Sequence, residues 1–301
     1  MSLLAVGSIA FDSITTPKGE VKEILGGAAT FFSVTASWFT PVSVIAIVGE
    51  DFGEAQFKVF RERSIDIRGV EQVPGRTFRW KGEYQGDMNE AHTLDTQLNV
   101  FGNFQPKVPE AFLDSPFLFL GNIDPVLQLK VRRALPNVRV SGLDTMNYWI
   151  NGMPNELAKV LATVDILLIN EGEARLLSKQ NQLKKAASVI KNLGPRFVVI
   201  KRGEHGATLF GPDSIFTVPA FPLDEVFDPT GAGDTFAGGF MGHLARTGDL
   251  SDSNLRRAAV YGSVMGSFAV EEFGVGRLLR LTPAEIESRY REIKNLTHFD
   301  A

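Results

Sequence analysis

The segment from Asp228 to Phe240 holds the residues of this chain whose types and spacing are best suited to chemistry. Three small residues stand just before Asp234 and a strongly helical run; they are Gly231, Ala232 and Gly233. A small-residue turn at the start of a helix directs unpaired main-chain N–H groups, and the positive end of the helix dipole, towards one point. The pattern therefore predicts a site for a phosphate-sized anion.

Asp234 is the distinctive residue of this segment, because a bound phosphate repels a neighbouring carboxylate. In the first turn of a helix an acid gains from the dipole, so a purely stabilising role is one interpretation. The other is that Asp234 accepts a proton from a hydroxyl group that attacks phosphorus. An anion site beside a general base predicts phosphoryl transfer to an alcohol.

Two common nucleotide-binding motifs are absent from the sequence. The chain holds no GxxxxGK[ST] pattern, and the turn after the first predicted strand contains a single glycine, Gly7. The sequence therefore disfavours a P-loop enzyme and a dinucleotide-dependent oxidoreductase.

Buried strands and helices alternate through most of the chain. Strand-like apolar runs lie at 3–9, 42–48, 117–120, 138–143, 166–169 and 197–200. Helical spacing is found at 28–39, 52–63, 126–135, 154–163, 172–178 and 183–192, and again at 233–246, 252–271 and 283–294. This order predicts a mostly parallel sheet covered on both faces, with functional loops at the carboxyl ends of the strands.

The character of the chain changes between residues 67 and 101. Within 78–84, positions 78, 80 and 84 are aromatic whereas 79, 81 and 83 are charged. Such alternation is typical of a sheet with one dry face. We interpret 67–101 as a small β excursion that covers a ligand or a second subunit.

Composition excludes several classes of protein. The 301 residues include 31 Lys and Arg, 35 Asp and Glu, and 44% hydrophobic residues, which is typical of a globular, mildly acidic chain with no footprint for nucleic acid or anionic membrane. No apolar run is long enough to span a membrane, and the apolar start shows no signal-peptide pattern. The chain has no cysteine, which fits a reducing cytoplasm.

The residues Asp-Pro-Thr-Gly-Ala-Gly-Asp-Thr-Phe at 228–236 resemble the second signature of the ribokinase-like (PfkB) carbohydrate kinases. The resemblance extends over essentially the whole chain, and its other carriers are Asp12, the pair Gly26 and Gly27, Val48–Gly53 and Asn170–Glu173. It implies one kinase domain over 1–301, an α/β fold with a central mostly parallel sheet, helices on both faces and a small β lid. The excursion at 67–101 would be that lid, which in the family often clasps a homodimer.

The resemblance also implies an ATP-dependent kinase whose acceptor is a small sugar or polyol. Asp234 would be the base, and the amides of 231–233 would hold the developing charge. Asp12 would accept hydrogen bonds from acceptor hydroxyls, and the pair Gly26 and Gly27 would let main-chain amides approach closely. Polar residues that follow predicted strands are further candidates for the acceptor pocket: Asn122, Asp144 and Asn147.

A second group of residues matches the family's nucleotide and cation sites. Asn170 and Glu173 match an Asn-x-x-Glu pattern that organises Mg²⁺, largely through water, although helix capping also explains them. The other candidates for nucleotide contact are Lys201, Gly203, Glu204, Thr230, Gly231, Gly233 and Gly262. Asp228 and Thr230 match a monovalent-cation site of related kinases, which makes K⁺ a candidate cofactor. For residues 201–206 the structural alternative is a hairpin turn, and for Gly262 it is close helix packing.

One position departs from the family pattern. Members commonly carry an Asn a few residues past the glycine pair, whereas this chain has Phe31. The close alternative to a sugar kinase is a nucleoside kinase, because Phe31 and Trp80 would suit a flat base. A non-catalytic sugar or nucleotide sensor is a further hypothesis, which the intact base and anion site disfavour.

Overall fold

The computed structural model describes residues 1–86, 88 and 91–298, and these residues form two β-sheets with helices packed around the larger one. The strands are β1 (Leu3–Val6), β2 (Ala10–Thr16), β3 (Gly19–Gly26), β4 (Val42–Gly49), β5 (Asp66–Val73), β6 (Phe78–Tyr84), β7 (Ala91–Gln97), β8 (Phe117–Leu120), β9 (Val140–Leu143), β10 (Ile166–Asn170), β11 (Phe197–Lys201), β12 (Ala207–Phe210) and β13 (Ile215–Val218). The helices are α1 (Ala28–Ala36), α2 (Glu54–Glu62), α3 (Pro125–Ala134), α4 (Asn147–Gly152), α5 (Pro154–Leu161), α6 (Glu171–Ser178), α7 (Leu183–Lys191), α8 (Ala232–Thr247), α9 (Asp252–Ala269), α10 (Gly276–Leu279) and α11 (Pro283–Leu296).

The large sheet has the strand order β13-β12-β11-β10-β9-β8-β1-β4-β5. Its strands from β11 to β5 pair in parallel, and β12 and β13 extend it as an antiparallel hairpin. Alternate residues of its strands enter two separate cores: Leu168 lies in the core that contains α8 residues, and Leu167 in the one that contains α5 residues. The predicted parallel sheet with helices on both faces is confirmed.

The small sheet consists of β2, β3, β6 and β7, in the order β3-β2-β6-β7. Its central strands pair in parallel, and each outer strand pairs antiparallel with its neighbour. The bounds predicted for the excursion, 67–101, need correction, because β5 pairs with β4 at the edge of the large sheet. An edge strand exposes one side to water and carries polar residues, so its sequence resembles that of a separate half-wet sheet. The other half of the small sheet comes from 10–26.

Two further differences from the predicted elements concern strands. The predicted strand 3–9 ends at Val6, and a new strand of the small sheet begins at Ala10. The hairpin of β12 and β13 was not predicted, because each strand has only four residues. No helix in the described ranges is both long and apolar enough to cross a membrane.

Candidate active site

The candidate site lies where the carboxyl ends of the parallel strands meet the start of α8 and the small sheet. Asp144 follows β9, Glu173 lies in the first turn of α6 just after β10, and Lys201 ends β11. Asp12 belongs to β2 of the small sheet, and Asp234 to the first turn of α8. The topology therefore brings together residues that are far apart in the sequence.

The glycine turn, residues 231–233, opens α8. Gly231 has φ +73°, and a Cβ there would overlap the ring of Phe31, so this position requires glycine. Within residues 1–86, 88 and 91–298, the main-chain N–H groups of Gly231, Gly233 and Asp234 donate no hydrogen bond. The Ala232 N–H, which was predicted to belong to the anion site, instead donates to the Pro229 carbonyl oxygen at 3.2 Å, because it closes the turn that opens α8. The turn thus presents free donors at the positive end of a 16-residue helix, the arrangement that holds a phosphate.

Phe31, which replaces the family's usual polar residue, is buried in α1 at 1% exposure. Its ring fills the space beside Gly231, as the glycine requirement there shows. The side chain therefore supports the glycine turn from the core side.

Asp228 fixes the approach to the glycine turn. Its Oδ1 accepts a hydrogen bond from the Thr230 N–H at 2.9 Å, and its Oδ2 accepts one from the Gly274 N–H at 3.2 Å. The residue is fully buried, and this burial raises the pKa of its carboxyl. Both carboxyl oxygens accept hydrogen bonds from main-chain N–H groups, which gives Asp228 a structural role. The monovalent-cation site predicted at Asp228 and Thr230 stays a prediction.

Asp234 lies partly buried beside the glycine turn. Desolvation raises its pKa to about 7, and the negative charges of Asp144, Asp12 and Glu173 add to the effect, whereas Lys201 opposes it. A carboxylate with a pKa near neutrality is a more effective proton acceptor than an ordinary aspartate, because it is both ionised and basic at working pH. The chemistry that this position can perform is proton removal from a group bound next to the turn.

Lys201 lies over the glycine turn, with its Nζ 2.9 Å from the point that a Cβ on Gly233 would occupy. Its ammonium group pairs with Asp144 Oδ2 at 3.1 Å, and the two side chains are 15% and 9% exposed. Burial lowers the pKa of Lys201, but the charges of Asp144, Glu173 and Asp234 outweigh burial and raise it above its usual value. A permanently charged ammonium group therefore faces the place where the free N–H donors converge.

Asn170 and Glu173 form a reciprocal capping box at the start of α6. The Glu173 N–H donates to Asn170 Oδ1 at 2.8 Å, and the Asn170 N–H donates to Glu173 Oε2 at 2.9 Å. Burial raises the pKa of Glu173 to about 7, with a further contribution from the charge of Asp144. No cluster of three or more acidic or histidine residues in the described part of the chain could hold a metal ion. A magnesium ion here would depend on phosphate oxygens for most of its ligands.

Asp12 and the glycine pair form the other side of the site. The Asp12 side chain is 5% exposed, and its Oδ2 accepts a hydrogen bond from the Gly27 N–H at 3.3 Å. A Cβ on Gly26 would overlap that same carboxyl oxygen, so glycine is required for this approach. Burial raises the pKa of Asp12 to about 7. Its charge also raises the pKa of Asp234.

The three other residues predicted for the acceptor pocket have different surroundings. Asn122 accepts a hydrogen bond from the Trp149 indole N–H at 2.9 Å and so supports α4. Asn147 is exposed at the start of α4. Asp144 forms the ion pair with Lys201, an arrangement that the sequence did not indicate.

The remaining nucleotide candidates lie in a turn and in a helix. Gly203 and Glu204 belong to a 3-10 turn between β11 and β12, where Glu204 is exposed. Gly262 packs against α8, with the Phe236 ring 2.8 Å from the point that a Cβ would occupy. Helix packing is thus a sufficient reason for a small residue there, and its nucleotide contact stays a prediction.

Tyr84, the last residue of β6, is a site residue that sequence reasoning missed. Its hydroxyl group accepts a hydrogen bond from Thr230 Oγ1 at 3.2 Å, and the residue is 9% exposed. The sequence feature that could have indicated it is the alternation of aromatic and charged residues in 78–84. That alternation predicted a buried face of the sheet but not which residues would contact it.

The chain is similar to known proteins in sequence and in fold. The family model described as pfkB family carbohydrate kinase matches residues 2–280 of the chain. A cytidine kinase of Thermococcus kodakarensis is 28% identical over 257 residues, 84% of this chain and 91% of the relative. An inositol 3-kinase of Arabidopsis thaliana is 34% identical over 307 residues, 96% of this chain and 81% of the relative. The fold is that of the Arabidopsis thaliana ribokinase solved with ribose and ATP, with a TM-score of 0.75 at 22% identity, covering 96% of this chain and 98% of that one.

Proposed function

The chain belongs to the pfkB family of carbohydrate kinases, and from this premise we propose that it transfers the terminal phosphate of ATP to a hydroxyl group of a small sugar, polyol or nucleoside. The observation that carries the proposal is the position of Asp234. Its carboxyl, whose pKa is about 7, lies beside a helix start where the N–H groups of Gly231, Gly233 and Asp234 donate no hydrogen bond to any described residue. A carboxyl group next to an anion site suits a reaction in which an acceptor hydroxyl group attacks a phosphoryl group: the carboxyl would face the hydroxyl, and the anion site would hold the phosphoryl group.

In the proposed reaction, Asp234 removes the proton of the acceptor hydroxyl as the hydroxyl oxygen bonds to the terminal phosphorus. The bond from phosphorus to the bridging oxygen breaks, and the products are ADP and the phosphorylated acceptor. The N–H groups of Gly231, Gly233 and Asp234 and the Lys201 ammonium group would stabilise the negative charge on the transferred group. Lys201 is held for this role by Asp144.

Asp12 would orient the acceptor by accepting hydrogen bonds from its hydroxyl groups. The small sheet carries Asp12 and would serve as a lid, which excludes water from the reacting groups. The predicted homodimer through this lid stays part of the proposal; every residue of β7 is exposed.

The nucleotide would lie along the ends of β10 and β11, near Asn170, Glu173 and Lys201. This part of the site fits a magnesium–nucleotide complex, because three partly or fully buried carboxylates surround one lysine and leave an excess of negative charge. Glu173 would hold the ion through water, and the ion would neutralise triphosphate charge when bound. The proposal includes no step through a monovalent cation.

A nucleoside acceptor is a second candidate that a specific observation favours. Asp12 and Trp80 are register partners in the parallel pair of β2 and β6, so their side chains lie on one face of the small sheet. The indole fills the side-chain space of Gly82 and so lies flat along that face. A ribose bound to Asp12 could stack its base on Trp80, and a cytidine kinase is among the relatives.

A panel of hexoses, pentoses, inositols and nucleosides tests the proposal, with ADP release and ³¹P NMR of the product as readouts. We expect one class to give a phosphate ester and ADP in equal amounts, and Trp80→Leu to impair nucleosides selectively if they are that class. ATP and acceptor binding without any ester would instead identify a sensor. Binding of neither would refute the proposal.

A further inference from the structure

Tyr84 connects the small sheet directly to the glycine turn. Thr230 Oγ1, one residue before Gly231, donates a 3.2 Å hydrogen bond to the Tyr84 hydroxyl oxygen. The two residues are 146 positions apart in the sequence, and Tyr84 is 9% exposed although it ends a small-sheet strand. This contact joins the end of β6 to the residue that precedes the glycine turn.

Tyr84 also lies on the face of the small sheet that carries Asp12. In β6, residues 80, 82 and 84 share one face, and Asp12 is the register partner of Trp80 on that face. Burial raises the pKa of the Tyr84 hydroxyl to about 12; the hydrogen bond from Thr230 opposes the shift, and the charges of Asp228, Asp12 and Asp234 add to it. The hydroxyl therefore keeps its hydrogen at every pH at which the enzyme would work.

The Tyr84 hydroxyl has unused donor capacity. Its oxygen accepts the Thr230 hydrogen, and within residues 1–86, 88 and 91–298 the hydroxyl group donates no hydrogen bond of its own. A buried donor without a partner is costly, and a ligand oxygen removes that cost. The carboxyls whose charges it senses, Asp12 and Asp234, are those proposed to bind and deprotonate the acceptor.

We propose that Tyr84 is a positioning residue: its hydroxyl group donates a hydrogen bond to an acceptor oxygen adjacent to the attacking hydroxyl, while Thr230 holds it against the glycine turn. This inference rests on the proposed kinase function. It implies that the small sheet closes fully only over an acceptor that offers this oxygen. Without the Tyr84 hydroxyl, closure is incomplete, and water competes with the acceptor for the phosphoryl group.

The test is Tyr84→Phe, which removes one oxygen and keeps the ring. We expect kcat/KM for the acceptor to fall about 2–10-fold, the usual worth of a neutral hydrogen bond, with KM for ATP changed less than twofold. We also expect more than one ADP per molecule of phosphorylated acceptor, because some ATP is hydrolysed. Calorimetric binding of the acceptor, with no turnover required, should weaken by a similar factor.

Thr230→Val and the double variant separate positioning from general stability. Because both single changes break the same hydrogen bond, the double variant should lose no more activity than the worse single variant. Thr230→Ser keeps the hydroxyl and should restore acceptor kcat/KM. Tyr148→Phe is the matched control, since Tyr148 is 66% exposed, and it should behave as wild type.

The outcomes are distinguishable. If wild-type protein phosphorylates no acceptor of the panel, the proposed function fails, and this inference fails with it. If wild type is active but Tyr84→Phe keeps acceptor KM, acceptor affinity and the ADP-to-product ratio within twofold, only the role of Tyr84 is refuted. Additive losses in Tyr84→Phe and Thr230→Val would equally contradict the coupling.

Discussion

Replacement of Asp12 by Asn should make the protein more stable at neutral pH. Asp12 is 5% exposed, and the hydrogen bond from Gly27 does not offset the desolvation of its charge, so its pKa rises from 3.8 to about 7. A group whose pKa is higher in the folded state binds more protons there than in the unfolded chain. The contribution of Asp12 to wild-type stability must therefore fall as the pH rises from about 4 to about 7. An amide avoids this loss, and its oxygen can still accept from Gly27.

The magnitude follows from the same values. A pKa higher by about 3 corresponds to about 4 kcal/mol, since each pKa unit is worth about 1.36 kcal/mol. Because Asn forgoes some of the native interactions, we expect Asp12→Asn to raise the free energy of unfolding by about 1–4 kcal/mol at pH 8. The gain should shrink steadily below pH 7 and vanish near pH 4. Affinity for the acceptor should fall, because the amide is a poorer acceptor of hydrogen bonds than a carboxylate.

Urea unfolding at pH 4.5, 6 and 8 measures the effect. Asp51→Asn is a control of opposite sign: although partial burial opposes it, hydrogen bonds from Thr77 and Arg79 lower the pKa of Asp51. That substitution should destabilise the protein at pH 8. If Asp12→Asn were no more stable than wild type at pH 8, or equally more stable at every pH, the desolvation argument would be wrong.

Three further predictions concern the glycine turn and its neighbours. The kcat/KM of the wild type should decline below about pH 7 as Asp234 is protonated, and a flat profile from pH 6 to 8 would contradict its assigned pKa. Lys201→Gln removes the charge that favours ionised Asp234, so this acid limb should move to higher pH by about 0.5–1 unit; an unmoved limb in initial-rate profiles would count against the cluster. Gly231→Ala must hold φ +73° and displace the Phe31 ring, so calorimetry should show a loss of about 2–4 kcal/mol; an unchanged melting temperature would show that the turn adapts.

The large sheet was predictable because its strands are buried on both faces and so form continuous apolar runs. The strand at 117–120 was predicted to the residue. The edge strands of the large sheet were harder to predict, because β5 has one face exposed to solvent and β12 and β13 are short. Their place in the large sheet follows from pairing with neighbours, which no local pattern records.

The candidate site also has a part that the sequence predicted and a part that it did not. The glycine turn and Asp234 are adjacent in the sequence, so their chemistry could be inferred from local spacing alone. The ion pair of Lys201 with Asp144 spans 57 positions, and the contact of Tyr84 with Thr230 spans 146. Such contacts depend on how the sheets dock, and the sequence showed only that each residue was polar or aromatic at its own position.

The central claim is that Asp234 takes the proton of the acceptor hydroxyl. The most direct measurement is single-turnover phosphoryl transfer by Asp234→Asn, with ATP and acceptor binding measured by calorimetry on the same variant. We expect the rate of transfer to fall by roughly 10²–10⁴ while both ligands bind within a few-fold of wild type. Transfer at the wild-type rate by a variant that binds both ligands would contradict the account.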